Sequence, residues 1–302
     1  MKRRIACVFS LLFLVGTSLL FSGCSDKTAS IQIAAKDFTE QYILGEMLKI
    51  LVEENTEYGV ELTSGIAGET SIIMPAMEKG DFDLYPEYDS TAWMTVLKQP
   101  KLHNEAEMHE KLQAEYSNRY DMEWIGYYGF DNTYGIAVRK ETAEKYHLKT
   151  YSDLARASDR LIFGAGYEFF EREDGYEGFQ ELYGFQFKEI KEMSLSLKYN
   201  ALLDGQVDAI TIYKTDGRME TAELVELEDD LNYFPPAMGG TVIRCEVLTE
   251  YPQLEATLAS LNGQISNAEM RAMNAAVDLN GEDPKAVAAE FLQKKGLIPD
   301  EQ

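Results

Sequence analysis

Apolar positions along the chain change their period repeatedly, and each change marks a predicted element. Residues 31–34 alternate apolar and polar with the period of two that suits a strand. The stretch 39–55 then brings Ile43, Leu44, Met47, Leu48, Leu51 and Val52 to one face of a helix, with Asp37 or Thr39 as its N-cap. A strand at 60–66, a helix ending at Lys79 before Gly80, and a short buried strand at 81–85 entering a turn at Pro86 continue the series. Further strands are expected at 124–130, 134–138, 161–164, 208–213 and 240–244. Helices are expected at 91–97, 105–120 and 195–203, and the tail 251–295 reads as almost entirely helical. Strands alternating with helices predict an α/β protein with mostly parallel sheets. No Pro/Gly/Ser-rich linker separates two domains, so a second lobe would be reached by strands running straight across. The crossings fall near Asp131-Asn132-Thr133 and near Pro235-Pro236.

The first residues break this pattern. Lys2, Arg3 and Arg4 precede an apolar run from Ile5 to Phe21, and Ser22-Gly23 stands immediately before Cys24. That is the layout of a secretory signal segment, residues 1–23, with a cysteine where a bacterial lipoprotein carries its acyl chains. Cys24 is therefore the expected lipidation site, 24–30 a tether, and the cell membrane's extracytoplasmic face the expected location. Of the remaining cysteines, Cys7 lies inside the signal and only Cys245 is left, so no internal disulfide is expected.

Charge narrows the partners. The formal net charge is −24, and it becomes more negative once the basic signal residues are removed. A nucleic-acid partner would need clustered Lys and Arg, which are missing here. Nothing points to catalysis or to a cofactor. His103 and His109 are six apart, off the i, i+4 spacing of a helical metal pair, and His147 is isolated. Gly164-Ala165-Gly166 lacks the third glycine and the lysine of a phosphate loop, and no serine sits in a nucleophile-elbow pattern. The expectation is a protein without enzymatic activity, metal or cofactor.

Three tyrosines, Tyr88, Tyr134 and Tyr213, adjoin turn residues at strand ends, where open α/β sheets bind ligands. Aromatic faces converging there can surround a quaternary ammonium. Several segments then occur in order: Lys36-Asp37-Phe38-Thr39-Glu40-Gln41, Tyr85-Pro86-Glu87-Tyr88, Asn132-Thr133-Tyr134, Glu168-Phe169-Phe170-Glu171-Arg172-Glu173-Asp174-Gly175, Thr215-Asp216-Gly217-Arg218 and Asp229-Asp230-Leu231-Asn232-Tyr233-Phe234-Pro235-Pro236. Together, over residues 31–298, they resemble the glycine betaine/carnitine/choline-binding proteins of osmoprotectant ABC importers.

The resemblance implies a two-lobed type II periplasmic-binding-protein fold with a ligand cleft between lobes. Residues 31–133 and 238–302 would form lobe 1, and 134–237 lobe 2. It also implies a role: capture of glycine betaine, choline or carnitine for an ABC permease and its ATPase. Tyr88, Tyr134 and Tyr213 match cage walls around a trimethylammonium head. Lys36, Thr91 and Arg172 match positions that hold a carboxylate tail, and Asn132 joins the ligand set. A helix beginning at Thr91 would add free N–H groups for an anion.

Three departures bear on the ligand. Ala237 stands where the family has a further cage tyrosine, which makes room for a bulkier betaine such as ergothioneine. Asp89 adds a negative charge beside the cage, favouring choline if it points inward, and Lys214 replaces a frequent serine. Two rivals remain: a binding lobe that senses ligand without transporting it, and an enzyme reusing the clamshell.

Overall fold

The computed structural model describes residues 30–172, 175–220 and 223–299; the expected signal segment, Cys24 and the tether up to residue 29 lie outside them. Among the described residues, ten strands form two five-stranded sheets. In chain order they are β1 (Ser30–Lys36), β2 (Gly59–Ile66), β3 (Leu84–Tyr88), β4 (Met122–Asp131), β5 (Tyr134–Arg139), β6 (Ile162–Ala165), β7 (Glu189–Glu192), β8 (Ala209–Tyr213), β9 (Leu224–Leu227) and β10 (Met238–Arg244). The first sheet runs β2-β1-β3-β10-β4 and the second β7-β6-β8-β5-β9. The chain passes from the first sheet to the second through Asn132 and Thr133 alone, and returns between β9 and β10.

The sheets are mixed, not mostly parallel as the alternation predicted. β1 pairs in parallel with β2 and β3, and β6 with β7 and β8. Every antiparallel pairing involves β5 or β10, the strands that enter their sheets after a crossing. A crossing strand arrives without the helical return that makes neighbours parallel, so it lies against them head to tail.

Most elements follow from the sequence, with local corrections. Helix α1 spans Thr39–Asn55, but its N-cap is Phe38, in extended conformation and without a side-chain capping bond. Neither Asp37 nor Thr39 caps it; the Thr39 hydroxyl donates to Asp278 instead. Helix α2 (Glu69–Lys79) ends at Gly80, whose φ of 81° lets its N–H reach the last carbonyls. Pro86 lies inside β3 and does not turn the chain. The register with β10 continues through Thr241↔Pro86, while β3 meets β1 only at Leu84. Although β3 is the middle strand, its pairing with β1 ends at Leu84, so on that side no ladder bond is lost at Pro86. The helical tail divides into Gln253–Ala259, Asn267–Asp278 and Pro284–Lys294.

Each sheet is covered on both faces. Over the first, α1 and the tail helices bury Leu44, Leu48, Leu51, Leu258 and Leu292 against Ile31 and Ile33, and the opposite face packs Met77, Tyr85, Trp93, Tyr116 and Trp124. The second sheet has an aromatic core. Phe179, fully buried, lies 4.5 Å from Phe185, 5.4 Å from Phe234 and 5.5 Å from Tyr151, ring centre to ring centre. This cluster fixes Phe234, which also faces the cleft between the sheets. Phe179→Ala should lower unfolding free energy by about 3–5 kcal/mol, the usual cost of a buried phenylalanine cavity, measured by urea denaturation. A loss under about 1 kcal/mol would mean the cluster relaxes to fill the gap.

Candidate ligand-binding site

All seven residues that the resemblance marked for ligand converge on one cavity between the sheets: Lys36, Tyr88, Thr91, Asn132, Tyr134, Arg172 and Tyr213 line it. The topology accounts for this. Lys36 ends β1, Tyr88 ends β3, Tyr213 ends β8, and Tyr134 begins β5 just after the crossing. Cross-strand register sets Tyr134 opposite Tyr213, which brings the rings to 4.8 Å and lets the Tyr213 hydroxyl donate to that of Tyr134. Arg172 follows the short helix Tyr167–Glu171 on the far wall.

Two aromatic walls had no place in the expected set. Phe38 stacks at 6.3 Å on Tyr88 and at 6.0 Å on Tyr213, and so joins the first sheet's ring to the second's. Its position as the extended N-cap of α1 puts it there. Phe234, 5.7 Å from Tyr134, closes the other side. Both lay inside segments used for the resemblance, and an aromatic residue directly between a strand end and a helix start was the available signal for Phe38. Five rings thus enclose a space of about 40 Å³, with Ala237 and Pro235 completing its wall. Beside it opens a groove of about 680 Å³.

The polar residues behave less uniformly. Lys36 is 1 % exposed and its ammonium is bound to Glu87, whose carboxylate also accepts from the Thr70 hydroxyl (2.6 Å) and the Tyr88 N–H (2.7 Å). Its charge is therefore already matched, although the side chain lies 5.1 Å from the Tyr88 ring. Thr91 is not the first residue of a helix. The turn starts at Asp89, runs through Thr91 and continues as a π-helical turn over Ala92–Val96, so Thr91 is its third residue and still lies in the first turn, where N–H groups lack intrahelical partners. Asp89 does not line the cavity. Its carboxylate is turned away to accept from the N–H groups of Ser90 (2.6 Å) and Met238 (2.9 Å), and burial pushes it up to about 7 against those bonds. Lys214 is likewise outside the lining, 3.7 Å from Asp131.

Behind the cage sits a network centred on Glu40, which is 2 % exposed. Its carboxyl accepts from the Tyr88 hydroxyl (2.6 Å), from Asn132 Nδ2 (2.7 Å) and from Asn274 Nδ2 (3.0 Å). Asn132 Nδ2 also reaches the Thr215 hydroxyl at 2.8 Å, and Gln41 donates to the Tyr88 oxygen. Burial raises the affinity of Glu40 for its proton, while hydrogen bonds from Thr215, Tyr88 and Asn274 act against it. Asn132 therefore serves as a strut between sheets as well as a lining residue. Two further carboxyls on the lining, Glu69 and Glu168, were not anticipated. Among the described residues no His, Cys, Asp or Glu cluster is arranged to hold a metal, and no helix is long and apolar enough to cross a membrane.

Comparison with known proteins gives this geometry a family. The sequence pattern for the substrate-binding domain of ABC-type glycine betaine transport systems matches residues 29–294. The chain is 37 % identical over 299 residues to the ergothioneine transport permease/ergothioneine binding protein of Helicobacter pylori, covering 98 % of this chain and 54 % of that longer protein. It is 35 % identical over 306 residues to the carnitine transport binding protein of Listeria monocytogenes, at 99 % coverage of both. Among solved structures, one of a glycine betaine/carnitine/choline ABC transporter superposes with a TM-score of 0.76 at 35 % identity, covering 88 % of this chain and 99 % of that one. With its pair of mixed sheets and the cavity between them, the chain belongs to the substrate-binding proteins of ABC-type glycine betaine transport systems and has their type II periplasmic-binding fold.

Proposed function

We propose that this protein captures a quaternary-ammonium zwitterion outside the cytoplasm and hands it to an ABC permease driven by its ATPase, without transforming it. The observation that carries the reading is the box of Phe38, Tyr88, Tyr134, Tyr213 and Phe234 around a space of about 40 Å³. Trimethylammonium has no N–H to donate, so a protein holds it through apolar and π contacts and nearby negative charge instead of hydrogen bonds. Each ring face contributes about 0.5–2 kcal/mol when water is excluded. Arg172 on the same wall supplies a fork for a carboxylate. The two sheets act as lobes 31–133 with 238–302, and 134–237. Because rings from both lobes face the same head group, ligand favours the closed arrangement over the open one. Acylation at Cys24 would keep the protein at the membrane surface beside its permease.

A bulkier betaine is a second reading, favoured by Ala237 on the lining and by the groove beside the cage.

Calorimetric titration of the purified protein with glycine betaine, choline, carnitine and ergothioneine tests the class. Tyr134→Ala should weaken every ligand that binds by roughly tenfold or more, since each uses the cage. Arg172→Ala should weaken the carboxylate-bearing ligands by a similar factor and leave choline within about threefold. If choline and the betaines fall together, Arg172 does not act on the carboxylate.

Lys36 calls for a different experiment, because its ammonium is bound to Glu87. Lys36→Met should cost about 3–5 kcal/mol of unfolding free energy by leaving Glu87 buried without its partner. Adding Glu87→Gln should restore much of that loss. An affinity defect at unchanged stability would instead make Lys36 a ligand contact first.

A further inference from the structure

Six residues line both the cage and the groove beside it: Phe38, Glu69, Asn132, Tyr134, Glu168 and Tyr213. They form the passage between the two spaces, and two of them are carboxyls. Glu69 opens α2 on the side of the first sheet, and Glu168 lies on the short helix Tyr167–Glu171 of the second. The two meet across the cleft within hydrogen-bonding reach. Carboxyls in such contact share a proton, because two adjacent negative charges cannot both persist. Burial drives the Glu69 carboxyl well above the usual carboxylate range, Lys36 acts against this, and the charge of Glu168 adds to it.

The dimensions limit what can sit where. A water needs roughly 10–15 Å³ of cavity, so about 40 Å³ suits a compact head such as trimethylammonium and leaves a bulky further substituent to lie outside it. Arg172 lines the cage but not the groove, so a carboxylate held there stays on the cage side. A further substituent on the ligand can pass between Glu69 and Glu168, which line both spaces, into about 680 Å³ of groove. A proton-sharing carboxyl pair offers lone pairs to a donor and repels a second carboxylate.

We propose that Glu69, together with Glu168, selects betaines whose central carbon carries a side chain with an N–H donor, in preference to glycine betaine, which has no such arm. The head lies in the aromatic cage, the carboxylate on the Arg172 side, and the donor-bearing arm crosses the carboxyl pair into the groove. This selection rests on the quaternary-ammonium reading above.

A matched pair of ligands isolates the donor: histidine betaine, with a ring N–H, and phenylalanine betaine, similar in size and without one. Both are titrated into the purified protein at neutral pH, with glycine betaine as reference. Histidine betaine should bind about tenfold or more tightly than phenylalanine betaine, the margin expected when a hydrogen bond to an ionisable acceptor is lost. Glu69 has a φ of 46°, a left-handed conformation that glycine adopts without strain. Glu69→Gly therefore removes the carboxyl while leaving the fold intact, and the tenfold margin should shrink to within about threefold. Glu168→Ala, from the other lobe, should shrink it equally. Equal affinities for the matched pair in the unaltered protein, or a margin that survives either substitution, overturns the selection and leaves the quaternary-ammonium reading standing. Failure of all three ligands to bind overturns both.

Discussion

The buried carboxyl of Glu40 is the point on which the rest of the site depends. Removing such a group from water is unfavourable by several kcal/mol unless hydrogen bonds replace its hydration. Here the replacements come from elements far apart in sequence: Tyr88 at the end of β3, Asn132 at the crossing and Asn274 on the helix Asn267–Asp278. Asn132 extends the network to Thr215 beyond β8. One side chain thus ties together three segments of the first sheet's half and, through one further residue, the second. Because Tyr88 is a cage ring and its hydroxyl is held by Glu40, the bond that settles the carboxyl also settles one wall of the cavity. The same group that stabilises the junction orients the chemistry.

Close backbone contact reinforces this junction. The loop after β8 approaches the helix Asn267–Asp278 so closely that a Cβ on Gly217 would lie 2.2 Å from the Ala275 nitrogen. Only glycine allows the approach, and it brings the Thr215 carbonyl within reach of Asn274, whose Nδ2 donates to it. The Asp216 carboxylate accepts from the Tyr213 N–H at 3.0 Å and from the Tyr199 hydroxyl, and lies 3.5 Å from the buried Lys198 ammonium. The second ring of the cage is therefore held at its backbone by a neighbour of the loop that Gly217 brings in. Sheet ends, crossing and loop form one mechanically continuous unit around the cavity.

How far the sequence disclosed this depended on the kind of signal each part carries. Helix α1 is legible because a long apolar stripe can arise in few other ways, and its predicted bounds match. β7 is not: Glu189–Glu192 is almost wholly exposed at a sheet edge, and charged residues there guard an unpaired strand without any alternation to read. β9, the other edge of that sheet, is equally short and was equally silent. Antiparallel entry of β5 and β10 is a property of the crossings, which leave no trace in periodicity. In the site, the tyrosines were found because turn residues and family segments flank them. Phe38 was passed over because a phenylalanine between a strand and a helix reads first as core. Lys36 was assigned from the resemblance and Asp89 from its charge, and the direction of a charge depends on partners, Glu87 and Met238, that lie 51 and 149 positions away.

The acidity of the whole chain bears on capture in a limited way. A net charge of −24 creates a field that draws cations from a distance, yet at physiological salt that field decays over about 8 Å. A zwitterion with its two charges a few ångströms apart experiences mostly the gradient of such a field, so long-range steering adds little to its encounter rate. Recognition must then come from contacts made inside the cleft. There the charges are arranged locally and nearly balanced: Lys36 against Glu87, Lys198 against Asp216, and Asp89 turned into its own backbone. The cavity lining itself carries π faces, the Arg172 guanidinium and the carboxyls of Glu69 and Glu168. That inventory matches the proposed ligand, with a positive apolar head, a negative group beside it and no overall charge, and it is complete only while both sheets contribute their rings.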